Sequence, residues 1–229
     1  MFRAVREWWT DGRGKPTARL FLFEFVVVMI GVLAAQGLQS WLAGRSDDRE
    51  GKALLAEATA YGEGVDRIVN YWGRHGQCLR KHVDGIARNA AAGRPMTAEE
   101  IGRPGLPSLR LIELSEADRR KIERVADGNR IRGLAWVRSI GETINLYSAD
   151  IAEQWANFRL IDGAIGPPSP EDRARVRAAA AVVDNRIRWL MFNHIQHRRA
   201  VEGTGISAGN ELPRSARLVD DCGLLKDWR

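Results

Sequence analysis

Apolar residues follow two different patterns along this chain. In residues 20–44 they are nearly continuous, and Glu24 is the only formal charge. At about 1.5 Å rise per residue, such a helix crosses the roughly 30 Å hydrocarbon core of a bilayer. From residue 45 onward, apolar residues instead recur every three or four positions, as in amphipathic helices. We therefore predict an all-α chain with one N-terminal transmembrane helix.

The second pattern predicts a three- to four-helix antiparallel bundle. We expect long helices over about 46–92, 131–160 and 169–202, and shorter ones opening at Thr97 and at Ser115. Thr97 with Glu100 forms a capping-box pattern. Ser169 is followed by proline and two acidic residues, which is a strong helix start. The first helix should be weakened by its glycines, which are Gly62, Gly64, Gly73 and Gly76. No strand is predicted.

Charge around the apolar run predicts its orientation. The basic residues of the preceding segment outnumber its acidic ones; they are Arg3, Arg6, Arg13, Lys15 and Arg19. The positive-inside rule then places residues 1–19 in the cytoplasm. We expect a transmembrane helix over 20–44, a bundle over 45–205 in the bacterial periplasm, and a C-terminal tail over 206–229 docked on that bundle. The alternative is a cleaved signal peptide, because Val32 to Ala34 supplies small residues at plausible cleavage positions.

Overall charge argues against a nucleic-acid partner. Lys and Arg number 35 and Asp and Glu 29, a net charge of +6, and the two signs are mixed along the chain. Such mixing is typical of a solvated surface and of attraction to anionic lipid. The sequence contains no Gly-rich phosphate loop, nucleophile elbow or two-histidine zinc-protease motif. We therefore expect no enzyme, no cofactor and no catalytic residue, and the lipid bilayer as one partner.

One face of the apolar run carries a candidate contact surface. Glu24, Val28, Gly31 and Ala35 lie at helical spacing, with Gln39 at the edge of that face. Small residues four apart let two membrane helices approach closely, so self-association or contact with another membrane protein is expected. Glu24 would then be buried in the contact. Alternatively it reaches the headgroups or pairs with Arg19, or it relays protons.

The same run resembles the anchor of a group of small, single-span bacterial membrane proteins of unknown function. The resemblance is carried by Glu24, by the sequence Gly-Val-Leu-x-Ala at positions 31–35, and by Trp41. It implies an N-terminally anchored helical periplasmic domain. It also implies one cysteine in the first outer helix and another near the C-terminus, which here are Cys78 and Cys222.

Two uses of Cys78 compete. Two cysteines in an oxidising compartment usually pair, and a Cys78–Cys222 disulfide would hold the aperiodic tail. Alternatively, Cys78 and the four histidines of the chain would bind zinc or copper, although arginines crowd them. The histidines are His75, His82, His194 and His197. The sequence thus predicts a non-enzymatic accessory, scaffold or interaction subunit of a membrane complex, with a periplasmic ligand or metal sensor as the alternative.

Overall fold

The computed structural model describes residues 14–206 and 219–225, with side chains from residue 21 onward. Within these residues the fold is all-α, as predicted, and only three isolated bridges occur in place of a sheet. The helices are α1 (Gly14–Ala91), α2 (Ala98–Ile101), α3 (Glu116–Val125), α4 (Gly128–Trp155) and α5 (Pro170–Val201). A 3-10 helix, Ala156–Ile161, directly follows α4.

Helix α1 continues through the position where a new helix was expected. It contains 78 residues, and Ser46 lies inside it, so the predicted helix start at Ser46 is wrong. The physical reason is that no proline interrupts residues 17–94 and that a single glycine such as Gly44 costs only about 1 kcal/mol. The helix ends where Gly93 takes a positive φ of 67° and Pro95 follows.

The chain divides after Glu50 into two compact units. In the first unit, the apolar side chains of residues 21–42 are all exposed, so this stretch has no core of its own. The second unit, from Gly51 onward, contains the hydrophobic core. The predicted boundaries at residues 19, 44 and 205 stay predictions.

The core of the second unit is formed by the inner faces of α1, α4 and α5. Trp72, Ile144 and Ile187 are almost fully buried representatives of the three helices. Helices α1 and α5 run antiparallel, because Arg80 contacts Asp184 while the earlier Asp66 lies beside the later His197. Burial of aliphatic and aromatic side chains is the main stabilising contribution in such a helical core.

Local capping chemistry sets the helix starts. Thr97, Ser115 and Ser169 are N-caps with complete capping boxes, and each accepts a hydrogen bond from the backbone amide three residues later. These three predictions are confirmed. Helix α4 begins three residues earlier than expected, because the carboxylate of Asp127 caps it by accepting from the amide of Arg130 at 2.8 Å.

Candidate functional site

The apolar stretch at the start of the described chain is the first candidate site. Its best 18-residue window has a mean hydropathy of 2.2, and none of that window is buried against the rest of the protein. It is the one helix among the described residues that is long and apolar enough to cross a membrane. The structure thus confirms a long apolar helix that is a possible anchor or signal. The basic residues Arg3, Arg6 and Arg13 lie outside the described residues.

The predicted contact face is open within this chain. Glu24, Val28, Gly31, Ala35 and Gln39 are all exposed. A Cβ atom added to Gly31 would meet nothing within 4 Å. No described side chain of the protein therefore fills the small-residue surface, and the expected association through it stays a prediction.

The second candidate region is the tail segment around Cys222, which a disulfide attaches to the core helix α1. Cys78 on α1 is bonded to Cys222, across 144 residues of sequence and with 4.8 Å between their Cα atoms. The pairing that the anchor's resemblance and the cysteine count suggested is thus present. Because disulfides persist in oxidising compartments, it indicates a domain outside the cytoplasm.

The tail segment 219–225 docks beside this disulfide through backbone groups. The amide of Gly105 donates to the carbonyl of Gly223 at 2.7 Å, and the amide of Leu225 donates to the carbonyl of Arg103 at 2.8 Å. The buried hydroxyl of Tyr71 donates to the carbonyl of Gly105 at 2.7 Å. Burial, and then the charge of Asp220, raise the pKa of Tyr71. Docking of the tail is therefore seen over residues 219–225, and the rest of the predicted tail, 207–218 and 226–229, lies outside the described residues.

The four histidines do not form one metal site. His75 contacts the carbonyl oxygen of Asp221 through Nδ1 at 3.1 Å, and His82 contacts that of Ile101 through Nε2 at 2.9 Å. Cys78 is in the disulfide and cannot ligate a metal as thiolate. No group of three His, Cys, Asp or Glu side chains in residues 14–206 and 219–225 is arranged to hold a metal ion. The expected four-histidine set is therefore not assembled.

His197 and Asp66 form a buried polar contact between α5 and α1. The side chains are almost fully buried, and Nε2 of His197 lies 3.2 Å from Oδ1 of Asp66. The contact lies within ion-pair distance but lacks hydrogen-bond geometry, and neither ring nitrogen of His197 has a hydrogen-bond partner. The second carboxylate oxygen of Asp66 accepts a hydrogen bond from the side-chain amide of Asn70 at 3.2 Å. We expect this buried polar pair to favour one register of the two helices.

An open cleft of about 950 Å³ lies next to this pair, between α1 and the C-terminal end of α5. The lining includes Asp66, Asn70, Gly73 and Arg74 from α1 and His194, Ile195, Arg198 and Arg199 from α5. Burial first, and then the charge of Arg198, lower the pKa of His194, against the opposing effect of Asp66. The imidazole of His194 is therefore held toward its neutral form. The cleft combines guanidinium, carboxylate and imidazole groups.

Sequence reasoning missed Asp66 and the cleft. The available signal was that Asp66 directly follows Val65 and precedes Ile68 and Val69, so a carboxylate lies within the predicted inner stripe. Buried carboxylates are rare unless they are paired. The partner of Asp66 comes from a helix 131 positions later, which no local pattern reveals.

Comparison with known proteins gives no further assignment. The chain matches no protein-family model, no curated protein and no solved structure.

Proposed function

We propose that this protein is a membrane-anchored accessory subunit, with its helical domain outside the cytoplasm and with no enzymatic role. The observation that carries this proposal is the exposed apolar stretch of residues 21–42, which no described part of the chain covers. A bilayer supplies the environment that such a surface requires. The N-terminal basic residues support a cytoplasmic N-terminus, and the resemblance of the anchor supports the inner membrane of a bacterium.

The Cys78–Cys222 disulfide supports a location of the domain in the periplasm. The helices α1, α4 and α5 of the second unit would then form an antiparallel three- to four-helix bundle outside the membrane. Binding of a partner is the activity that we propose for this bundle.

Lateral association is the second part of the proposal. Gly31 and Ala35 offer a surface where another membrane helix can approach closely, and both are uncovered. Glu24 lies on the same face and would be shielded from lipid in such a contact. The partner is a second copy of the chain or another membrane protein.

Replacement of Gly31 tests this association. We expect Gly31→Leu to weaken the complex isolated in mild detergent at least tenfold, because the larger side chain separates the two helices, while membrane insertion is retained. Gly37→Leu is the matched control, since Gly37 lies on the opposite face and is equally open. The measurement is the molar mass of the purified native protein by light scattering, together with identification of co-purifying proteins.

A wild-type protein that elutes alone and monomeric would contradict the accessory-subunit proposal. Equal effects of Gly31→Leu and Gly37→Leu would show that Gly31 does not lie in a specific contact face, and the stretch would then be an anchor only.

A further inference from the structure

Helix α5 has an exposed apolar line that no described residue covers. Trp189 and Phe192 are each 47% exposed and Ile195 is 55% exposed, although large apolar side chains usually lie inside a core. Val182 is exposed on the same helix. The opposite side of α5 is fixed by buried residues such as Ile187 and Leu190, so the exposed line is held on a rigid support.

Trp189 and Phe192 belong to a row of exposed positions whose spacing suits packing against a second helix. We define the α5 face as six exposed positions spaced alternately by four and three residues: Ala178, Val182, Asn185, Trp189, Phe192 and Gln196. This is the heptad spacing with which one helix packs against another. The rings of Trp189 and Phe192 already meet edge to face, with centroids 5.8 Å apart. The two largest side chains of the face are thus in mutual contact before any partner binds.

Charge beside the α5 face determines which helix fits. Between Asn185 and Val201, α5 carries four arginines and no carboxylate. Arg188 is hydrogen-bonded to Asp184 at 2.7 Å and remains 62% exposed, and Arg199, three residues after Gln196, is exposed as well. A second copy packed on this face would bring like charges together, which disfavours binding. A helix with acidic residues beside its apolar seam is complementary.

We propose that the α5 face docks an amphipathic helix of a partner protein whose apolar seam is flanked by Asp and Glu. The inference rests on the proposed accessory function and names the chemistry of its partner. Trp189 and Phe192 are the central apolar anchors, as aromatic residues commonly are at interfaces. Arg188 and Arg199 pair with the acidic flanks.

Two designed peptides test this docking. Both have the same Leu seam at heptad spacing, and one carries Glu and the other Lys at the flanking positions. Each is fluorescently labelled and titrated by anisotropy with the full chain in nanodiscs of zwitterionic lipid, with empty nanodiscs as the blank. We expect the Glu peptide to bind at least tenfold more tightly than the Lys peptide.

Three variants locate the contact on the protein. The double substitution Trp189→Ala with Phe192→Ala should weaken binding of the Glu peptide at least tenfold. Arg188→Glu with Arg199→Glu should reverse the preference toward the Lys peptide. Ile165→Ala is the control, because Ile165 is 73% exposed and lies outside α5. Thermal melting of each variant, compared with that of the wild type, identifies any loss of fold.

Several results would overturn the docking proposal. These are equal binding of the two peptides, binding of neither, or binding that survives both α5 double variants. A wild-type oligomer that dissociates when Trp189 and Phe192 are replaced would assign the face to a second copy instead. Gly31→Leu should bind the Glu peptide like the wild type, so failure of the membrane contact is distinguished from failure of the α5 face.

Discussion

Asp184 on α5 binds two arginines, Arg80 on α1 and Arg188 on α5 itself. Its Oδ1 accepts from Nε of Arg80 and its Oδ2 from Nε of Arg188, each at 2.7 Å. Burial alone would raise the pKa of Asp184, but the hydrogen bonds and charges of both arginines outweigh it, and the pKa is lowered. The ionised carboxylate is thus the form that the folded state prefers.

Asp184→Asn should lower the melting temperature at pH 7 and remove part of the acid sensitivity. Because the folded-state pKa is lowered, the stabilising contribution is present above the unfolded value of about 4 and is lost as pH falls through the folded-state pKa. Melting curves of the wild type and the variant should therefore converge on acidification. Asp84→Asn is the control, since Asp84 pairs with Arg88 at an exposed position and should cost less than about 1 kcal/mol. If the melting temperatures of the wild type and Asp184→Asn changed in parallel with pH, the ionised carboxylate of Asp184 would not be a source of the acid sensitivity.

At the scale of single residues, hydrogen bonds within one helical turn could be predicted from the sequence. Contacts between residues far apart in the sequence could not. Ser115 and Ser169 cap their helices as expected, because the bonded groups are only three residues apart. The roles of His197 and His75 depend on Asp66 and on the carbonyl of Asp221, which lie far away in sequence. Helical spacing placed the histidines on faces but did not show what those faces meet.

At the scale of the element, some glycines of α1 mark positions where a later part of the chain packs closely. A Cβ atom at Gly62 would lie 2.5 Å from Ile206 Cγ2, and one at Gly76 would lie 2.5 Å from Met191 Cγ. The sequence indicated only that glycine lowers helix propensity. That a neighbouring side chain occupies the vacant position depends on the packing of later elements, so it could not be predicted from α1 alone.

Gly51→Ala should destabilise the domain although alanine is the better helix former. The added Cβ would lie 2.5 Å from the backbone carbonyl oxygen of Lys121 on α3, and a backbone atom cannot move aside as a side chain can. We expect a loss of about 1–3 kcal/mol in the free energy of unfolding, as in overpacked cores. The measurement is denaturant unfolding followed by circular dichroism.

Gly85→Ala is the matched control for this substitution on the same helix. Its added Cβ would meet only the end of the flexible Arg88 side chain, at 4.0 Å. Helix propensity then predicts stabilisation by about 0.5–1 kcal/mol. If both alanine variants stabilised the domain, the close approach of α1 and α3 would be wrong.

At the scale of the whole molecule, the tail segment 219–225 is attached to the second unit. The disulfide attaches residues 219–225 to α1, and the segment adds backbone hydrogen bonds to the loop after α2. The sequence predicted this pairing because the chain has only two cysteines. It did not reveal that backbone groups of Arg103 and Gly105 bind the segment around Cys222, because the tail lacks periodicity.

Reduction of the disulfide should lower the free energy of unfolding by about 2–5 kcal/mol, because the crosslink closes a long loop and restricts the unfolded chain. Unfolding curves with and without reductant give the difference. Cys78→Ser combined with Cys222→Ser should be as unstable as the reduced wild type and should not respond to reductant. A wild type that is equally stable in both conditions would show that the crosslink contributes nothing to the fold.

The central claim, a retained anchor that carries an oxidised outer domain, is tested most directly by one measurement. Membranes of bacteria that produce the chain are washed with alkaline carbonate, and the retained protein is digested without reductant and analysed by mass spectrometry. We expect peptides from the apolar stretch 21–42 together with a crosslinked pair that contains Cys78 and Cys222. Recovery in the soluble fraction of chains that begin near residue 35, or of both cysteines as free thiols, would contradict the account.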